Sequence, residues 1–233
     1  MRFFPSPDSK KQCVSELFGT YMLVLLGPGS VVVASLLRMG SAESLVFVAA
    51  VFGGTVAGMI RLLGWTSGAN INPAVTLGST VAGISEGDLL LPYVLFQICG
   101  SLLAGLTLAL AFGSQGAATS LGSTKLAAAV SPAEGLVLET IGTFVLVVSA
   151  LSAASYLKSS LKQALLVGGT LFVLILFIGP LTGASLNPAR SLGPSLFSGY
   201  FDDQGIYYLG PAIGGVCAGL LFRRLKRPYA KGS

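Results

Sequence analysis

Histidine is absent from this sequence of 233 residues, and charged residues make up only 10% of it. Without histidine, catalysis by an imidazole base, proton relay through imidazole and metal binding by histidine are excluded. Soluble domains carry about a quarter charged residues, so this shortage of charge also excludes an ordinary soluble domain. The chain is instead 53% hydrophobic, with a mean hydropathy of +0.81.

Cysteine is scarce as well: Cys13, Cys99 and Cys217 lie far apart, in or beside apolar segments. This placement predicts small packing residues rather than a disulfide framework or a metal site. The sequence shows no pair of nucleophile and base, so we expect a protein that is not an enzyme and uses no cofactor. The net charge of +5 would suit nucleic acid, but the basic residues lie at the ends of apolar segments. We therefore expect no nucleic-acid partner.

Several apolar stretches reach the roughly 20 residues that a helix needs to cross a bilayer. The predicted spans cover about residues 13–37, 45–63, 89–112, 133–156, 163–178 and 207–222. The 31 glycines suit helices that approach one another closely within lipid. We predict an all-α membrane protein with six transmembrane helices.

Asparagine occurs only three times, and two of the three begin Asn-Pro-Ala triplets. The triplets are Asn72-Pro73-Ala74 and Asn187-Pro188-Ala189. Asparagine is a good helix cap, and proline is tolerated in the first turn of a helix. The apolar stretches that begin there, 73–81 and 188–197, are too short to span a bilayer and too apolar for solvent loops. They predict two re-entrant half-helices.

The chain also contains an internal repeat. The segment 16–20 matches 139–143, and Gly-Gly-Thr occurs at 53–55 and again at 168–170. The second glycine of each triplet stands eighteen residues before its Asn-Pro-Ala asparagine. Three crossings reverse the direction of the chain, so the halves are inverted repeats with a site at the midplane. We predict one domain, 1–233, with repeats at about 12–113 and 132–226.

Two helix starts that meet at the midplane would place two amide donors and two positive helix ends in one constriction. A water molecule there can accept from both asparagines while its own protons point away, which opposes proton hopping and repels cations. Backbone carbonyls leading to this point would form a ladder of acceptors. The predicted ladder comprises Gly68, Ala69, Asn70 and Ile71 in one half, and Gly183, Ser185 and Leu186 with Ala184 in the other.

With six spans and two Asn-Pro-Ala boxes in repeat register, the chain resembles the aquaporins, the family of water and small-solute channels. The resemblance covers essentially the whole chain, including the acids Glu16 and Glu139 and the arginine Arg190 after the second box. It implies that the two acids accept hydrogen bonds from the half-helix loops; a proton pathway is the alternative. It also implies a homotetramer in which each protomer has its own pore.

Family residues of the outer filter can be matched one at a time. Arg190 matches the arginine of the aromatic/arginine constriction, and Phe52 matches its aromatic partner. Ile175 stands where water-selective members usually have histidine, and Ala184 where others have cysteine, threonine or an aromatic residue. Ser191 differs from the aspartate that glycerol facilitators tend to have. The resemblance therefore implies a water-channel frame with a wider, more apolar mouth; isoleucine at this place resembles the archaeal aquaporins.

We expect a passive channel for water, and for small neutral solutes such as glycerol or dissolved gases, that excludes protons and ions. The alternative is a coupled secondary transporter, which also uses inverted repeats and broken helices but needs a titratable residue in its path. A structural membrane protein with a vestigial pore is a third possibility. The expected partners are water, small neutral solutes, the lipid bilayer and further copies of the chain.

Lysine and arginine favour one side of the predicted membrane protein. The side predicted to be cytoplasmic has Arg2, Lys10, Lys11, Arg61, Lys158, Lys162, Arg223, Arg224, Lys226, Arg227 and Lys231; the other has Arg38 and Lys125. We expect a multi-pass protein of the plasma membrane with both termini in the cytoplasm.

Three other features have more than one interpretation. Asn70 stands where many relatives have histidine, and could gate the pore or satisfy the loop backbone. Gln97 and Trp65 are expected to pack or hydrogen-bond rather than meet solute. The 113–131 connection, with Lys125, is expected to be solvated, although such loops can line a vestibule.

Overall fold

A computed structural model describes residue 6 and residues 8–226, and the regular structure in that part is helical throughout. The α-helices are α1 Ser9–Leu36, α2 Ser41–Ser67, α3 Pro73–Val81, α4 Leu90–Phe112, α5 Pro132–Tyr156, α6 Ser160–Thr182, α7 Pro188–Ser198 and α8 Gln204–Lys226. Short 3₁₀ segments occupy Gly87–Leu89 and Gly113–Gly122. The basic residues Arg2, Arg227 and Lys231 of the predicted cytoplasmic side lie outside the described residues.

In the part of the chain described, six helices are long and apolar enough to cross a membrane, which confirms the predicted spans. Several continue beyond the predicted limits, because hydropathy marks only the apolar middle of a helix. Helices α2 and α6 each end at a glycine. Gly68 and Gly183 take left-handed conformations, with φ of 85° and 78°, and terminate α2 and α6.

The half-helices begin where the Asn-Pro-Ala triplets predict. Asn72 caps α3 and Asn187 caps α7, and a proline is the first residue of each helix. Helix α3 has the predicted limits, and α7 extends one residue further, to Ser198. The asparagine cap and the proline that follows it therefore predicted both helix starts correctly.

The helices pack in symmetrical pairs. Helix α1 packs on α4 as α5 packs on α8, and α2 packs on α6 between the halves. Helix α3 packs on α8, and α7 on α4, so each half-helix lies against a spanning helix of the other half. This exchange interlocks the two inverted repeats. Their limits, about 12–113 and 132–226, stay a prediction.

Helices α2 and α6 touch through the first glycine of each Gly-Gly-Thr triplet. A Cβ atom added to Gly53 would lie 2.7 Å from the carbonyl oxygen of Gly168, and one added to Gly168 would overlap the carbonyl of Gly53. Neither position can accept a side chain without moving backbone. These glycines therefore allow α2 and α6 to approach closely.

The 113–131 connection is more buried than the sequence predicted. Leu121, Gly122 and Thr124 are buried, and Gly122, with φ of 72°, lies so close to the backbone of Pro28 that a Cβ would overlap it. The expectation of a solvated connection was wrong for this part, because Leu121 turns its apolar side chain inward. Lys125 is exposed, with its Nζ 4.4 Å from the centroid of the Tyr200 ring.

Candidate pore

The two capping asparagines hold one another's loops. Each side-chain oxygen accepts a hydrogen bond from the backbone N–H two residues on, at 2.8 Å for Asn72 and 3.0 Å for Asn187. The Nδ2 of Asn72 donates to the carbonyl of Leu186 at 2.8 Å, and the Nδ2 of Asn187 donates to the carbonyl of Ile71 at 3.0 Å. These reciprocal bonds join the two half-helices at the centre of the protein.

The cross-bonds refine what the sequence predicted for these amides. The sequence predicts two amide donors facing the constriction, and in the structure one N–H of each amide is committed to the opposite loop. Asn72 and Asn187 also both line the cavity described below. The carbonyls of Ile71 and Leu186 likewise already accept one hydrogen bond each.

Glu16 anchors the first half-helix loop. Its carboxylate accepts from the Ser67 hydroxyl at 2.7 Å and from the backbone N–H groups of Asn70 at 3.0 Å and Ile71 at 2.6 Å. The Gln97 amide donates to it as well, at 2.7 Å. The carboxylate is fully buried, so these donors replace its water. Gln97 therefore hydrogen-bonds inside the protein, as expected.

Glu139 does the same in the second half. It accepts from the Thr182 hydroxyl at 2.6 Å and from the backbone N–H groups of Ser185 at 2.9 Å and Leu186 at 2.7 Å. The hydrogen bonds that the family resemblance implies for the two acids are thus present in both halves.

Both loops have the same unusual backbone. Ala69 and Ile71 have φ of 50° and 45°, and Ala184 and Leu186 have φ of 43° and 52°. A non-glycine residue in this left-handed region costs about 1–3 kcal/mol. The buried acids offset that cost by binding the loop N–H groups.

A cavity of about 140 Å³ extends past both asparagines. A water molecule needs roughly 10–15 Å³ by this measure, so the cavity has room for several. The predicted site residues that line it are Phe52, Gly68, Ala69, Asn70, Ile71, Asn72, Ala184, Ser185, Asn187 and Arg190. Those that do not line it are Ile175, Gly183, Leu186, Pro73, Ala74, Pro188 and Ala189.

The rest of the cavity wall is largely apolar, and its residues have no polar motif that would predict them from the sequence. Val167 and Leu171 line the cavity from α6. Ile175 lies one helical turn further along the same face and is buried in a hydrophobic cluster with Phe52 and Ala184. The four-residue spacing of these three apolar residues was the signal that could have found the wall.

Arg190 is held beside the aromatic residue of the predicted filter. Its Nη1 donates to the carbonyl of Gly122 at 2.8 Å, and its Cζ lies 5.0 Å from the centroid of the Phe52 ring. Only 3% of the residue is exposed. The connection before α5 thus supplies a contact that sequence reasoning missed, because a backbone carbonyl has no signature in the sequence.

Asn70 lines the cavity, and its Nδ2 has no hydrogen-bond partner among the described residues. Its side-chain amide nitrogen therefore does not satisfy the loop backbone, which was one of its two interpretations. Its backbone N–H does bind Glu16.

In the described part of the chain, six spanning helices and two half-helices that meet beside an internal cavity define a transmembrane channel. The family model described as "Major intrinsic protein" matches residues 4–222. The chain belongs to the major intrinsic protein family.

Its relatives include aquaporins of plants and archaea. It is 35% identical over 220 residues to aquaporin NIP1-2 of Oryza sativa subsp. japonica, covering 91% of this chain and 71% of the relative. It is 31% identical over 241 residues to aquaporin AqpM of Methanothermobacter thermautotrophicus, covering 92% and 97%. The archaeal likeness predicted from Ile175 is thus one part of a wider relationship.

The fold is also similar to that of a solved aquaglyceroporin from Plasmodium falciparum, with a TM-score of 0.75, 22% identity and 96% of each chain covered. Together with the family and the aquaporin relatives, this makes the chain a multi-pass membrane channel for the passive movement of water and small neutral solutes. It is not an enzyme, and a coupled transporter is not favoured.

Proposed function

We propose that water passes through this channel in single file and that protons and ions are excluded at Asn72 and Asn187. The observation that carries the proposal is the pair of reciprocal amide bonds, at 2.8 Å and 3.0 Å. These bonds fix the orientation of both amides. They leave one N–H group of each amide to donate to the permeating molecule. A water oxygen that accepts from both amides cannot pass a proton along the file.

In this proposal, the outer selectivity filter consists of Phe52, Ile175, Ala184 and Arg190. The short distance from Arg190 to the Phe52 ring supports it, as does the shared cluster of Phe52, Ile175 and Ala184. Arginine provides fixed charge and donors, while the other three residues provide an apolar wall. Such a mouth favours small neutral solutes, such as glycerol or dissolved gases, beside water.

In this proposal, the acceptor ladder on either side of the constriction consists of the carbonyls of Gly68 to Ile71 and those of Gly183, Ser185 and Leu186. Glu16 and Glu139 accept hydrogen bonds from the backbone N–H groups of the two loops, and this supports the arrangement. Each carbonyl can replace one water contact as a solute moves past it. The ladder would lower the cost of removing a solute from bulk water.

The proposal includes the setting of the channel: a plasma membrane, both termini in the cytoplasm and a homotetramer with one pore per protomer. The sequence bias of lysine and arginine supports the orientation. Of the predicted cytoplasmic set, Arg61, Lys158 and Arg223 are exposed, as interfacial basic residues should be.

Osmotic shrinkage of proteoliposomes, followed by stopped-flow light scattering, tests the water pathway. We expect shrinkage at least several times faster than that of empty liposomes, because the pore supplies a path around the lipid. Ala184→Trp places a large ring in the cavity and should return the rate to the empty-liposome value. Equal rates for the unmodified protein and empty liposomes would contradict the proposal.

A further inference from the structure

A second cavity, of about 360 Å³, lies behind the half-helices and shares no lining residue with the pore. We call it the outer groove. Its lining includes Pro73, Leu77, Leu91, Val94, Pro188 and Ala212. All of these side chains are apolar, and none is charged.

The outer groove reaches the reverse side of the constriction. Pro73 and Pro188 are the first residues of α3 and α7, directly after the two capping asparagines. Leu77 lies one turn further along α3, while Val75 on the same helix lines the pore. Helix α3 therefore separates the outer groove from the pore.

The groove is continuous with the surface that faces the bilayer. Leu91, at the rim on α4, is 59% exposed, and Ile213, beside Ala212 on α8, is 45% exposed. Both helices span the membrane, so their exposed apolar residues meet hydrocarbon. Water is unstable in an apolar space of this kind, and an empty groove would forfeit dispersion contacts.

The groove reaches the reverse side of the constriction and is continuous with the surface that faces the bilayer. From these two features, we infer that the outer groove binds an acyl chain of a bilayer phospholipid. The chain enters between α4 and α8 and ends against Pro73 and Pro188. The start of α4 lies on the side that the basic residues predict to be cytoplasmic, so the lipid belongs to that leaflet. The bilayer then contacts the reverse side of the asparagine constriction.

Photolabelling of the unmodified protein tests this inference. The protein is reconstituted in phosphatidylcholine vesicles that contain a fraction of lipid with a diazirine at mid-chain, irradiated, and mapped by peptide mass spectrometry. We expect adducts on Pro73 or Leu77 at a yield similar to that on Leu103, an exposed residue of α4. Val75, on the pore side of α3, should carry none. Labelling of Leu103 without labelling of Pro73 or Leu77 would overturn the inference, whether the groove were empty or covered by a second copy.

A groove-filling variant gives an independent check. Ala212→Trp places a ring in the outer groove and should lower the labelling of Pro73 and Leu77 at least fivefold, with Leu103 unchanged. The matched control is Ala111→Trp, which adds the same ring at an exposed position of α4 outside the groove and should leave all labelling unchanged. If Ala212→Trp, eluting as a folded protein, kept full labelling of Leu77, the label would reach α3 by another route and the inference would fail.

Discussion

At the scale of single residues, two positions of the proposed selectivity filter are held in different ways. Arg190 is fixed by a hydrogen bond from its Nη1 to the Gly122 carbonyl and by the nearby Phe52 ring. Ile175 is fixed by packing alone, inside the cluster that includes Phe52. The charge of the proposed filter therefore depends on one residue, and its apolar wall on several.

Arg190→Val should raise proton leak through the channel, because it removes the only positive side chain that lines the cavity among the described residues. We expect at least a severalfold increase, measured with a pH-sensitive dye inside proteoliposomes under a pH gradient. Arg190→Lys retains the charge but loses the planar fork, and should leak less than the valine variant. An unchanged leak in Arg190→Val would show that the barrier lies elsewhere.

Ile175→His should shift selectivity from glycerol toward water. An imidazole at this place adds a polar group to an apolar wall and favours a solute that needs hydrogen bonds over one with a carbon backbone. The ratio of water to glycerol permeability in the same proteoliposomes measures the change, and we expect it to rise severalfold. Identical ratios before and after would mean that Ile175 does not contribute to the filter.

At the scale of elements, the half-helices show how far sequence signals extend. Local chemistry predicted their starts, since asparagine caps and proline at the first position act within a few residues. The bonds from Asn72 to Leu186 and from Asn187 to Ile71 join residues more than a hundred positions apart, and no local pattern encodes them. The burial of Leu121 escaped prediction for a similar reason: its partner surface exists only after the helices have packed.

Glu139→Gln should destabilise the second half-helix loop. Glutamine keeps one acceptor oxygen, whereas the carboxylate accepts from three donors with two oxygens. At least one buried donor loses its partner, which costs about 1–3 kcal/mol. The free energy of unfolding in detergent measures the loss.

The matched control for Glu139→Gln is Glu134→Gln on the same helix. Glu134 closes an exposed capping box at the start of α5, and glutamine serves the same role there. We expect little change in its stability. Equal effects of the two substitutions would argue that the buried hydrogen bonds of Glu139 do not support the loop.

At the scale of the whole molecule, two kinds of contact join the halves. Each half-helix packs on a spanning helix of the other repeat, and α2 meets α6 at Gly53 and Gly168. The sequence revealed the repeated Gly-Gly-Thr triplets, but it did not show which glycine of each pair faces the other half. That choice depends on helix rotation, which packing decides.

Gly53→Ala and Gly54→Ala should therefore have opposite effects, although the residues are neighbours. A methyl group on Gly53 would lie 2.7 Å from the Gly168 carbonyl oxygen, and backbone cannot move aside easily, so we expect a loss of about 1–3 kcal/mol. A methyl group on Gly54 meets nothing within 4 Å and should stabilise α2 by roughly 0.5–1 kcal/mol through helix propensity. Thermal unfolding in detergent compares the two variants with the unmodified protein, and osmotic permeability shows whether the halves still close around the pore. If Gly53→Ala were as stable as Gly54→Ala, the close contact of α2 with α6 would not be a requirement of the fold.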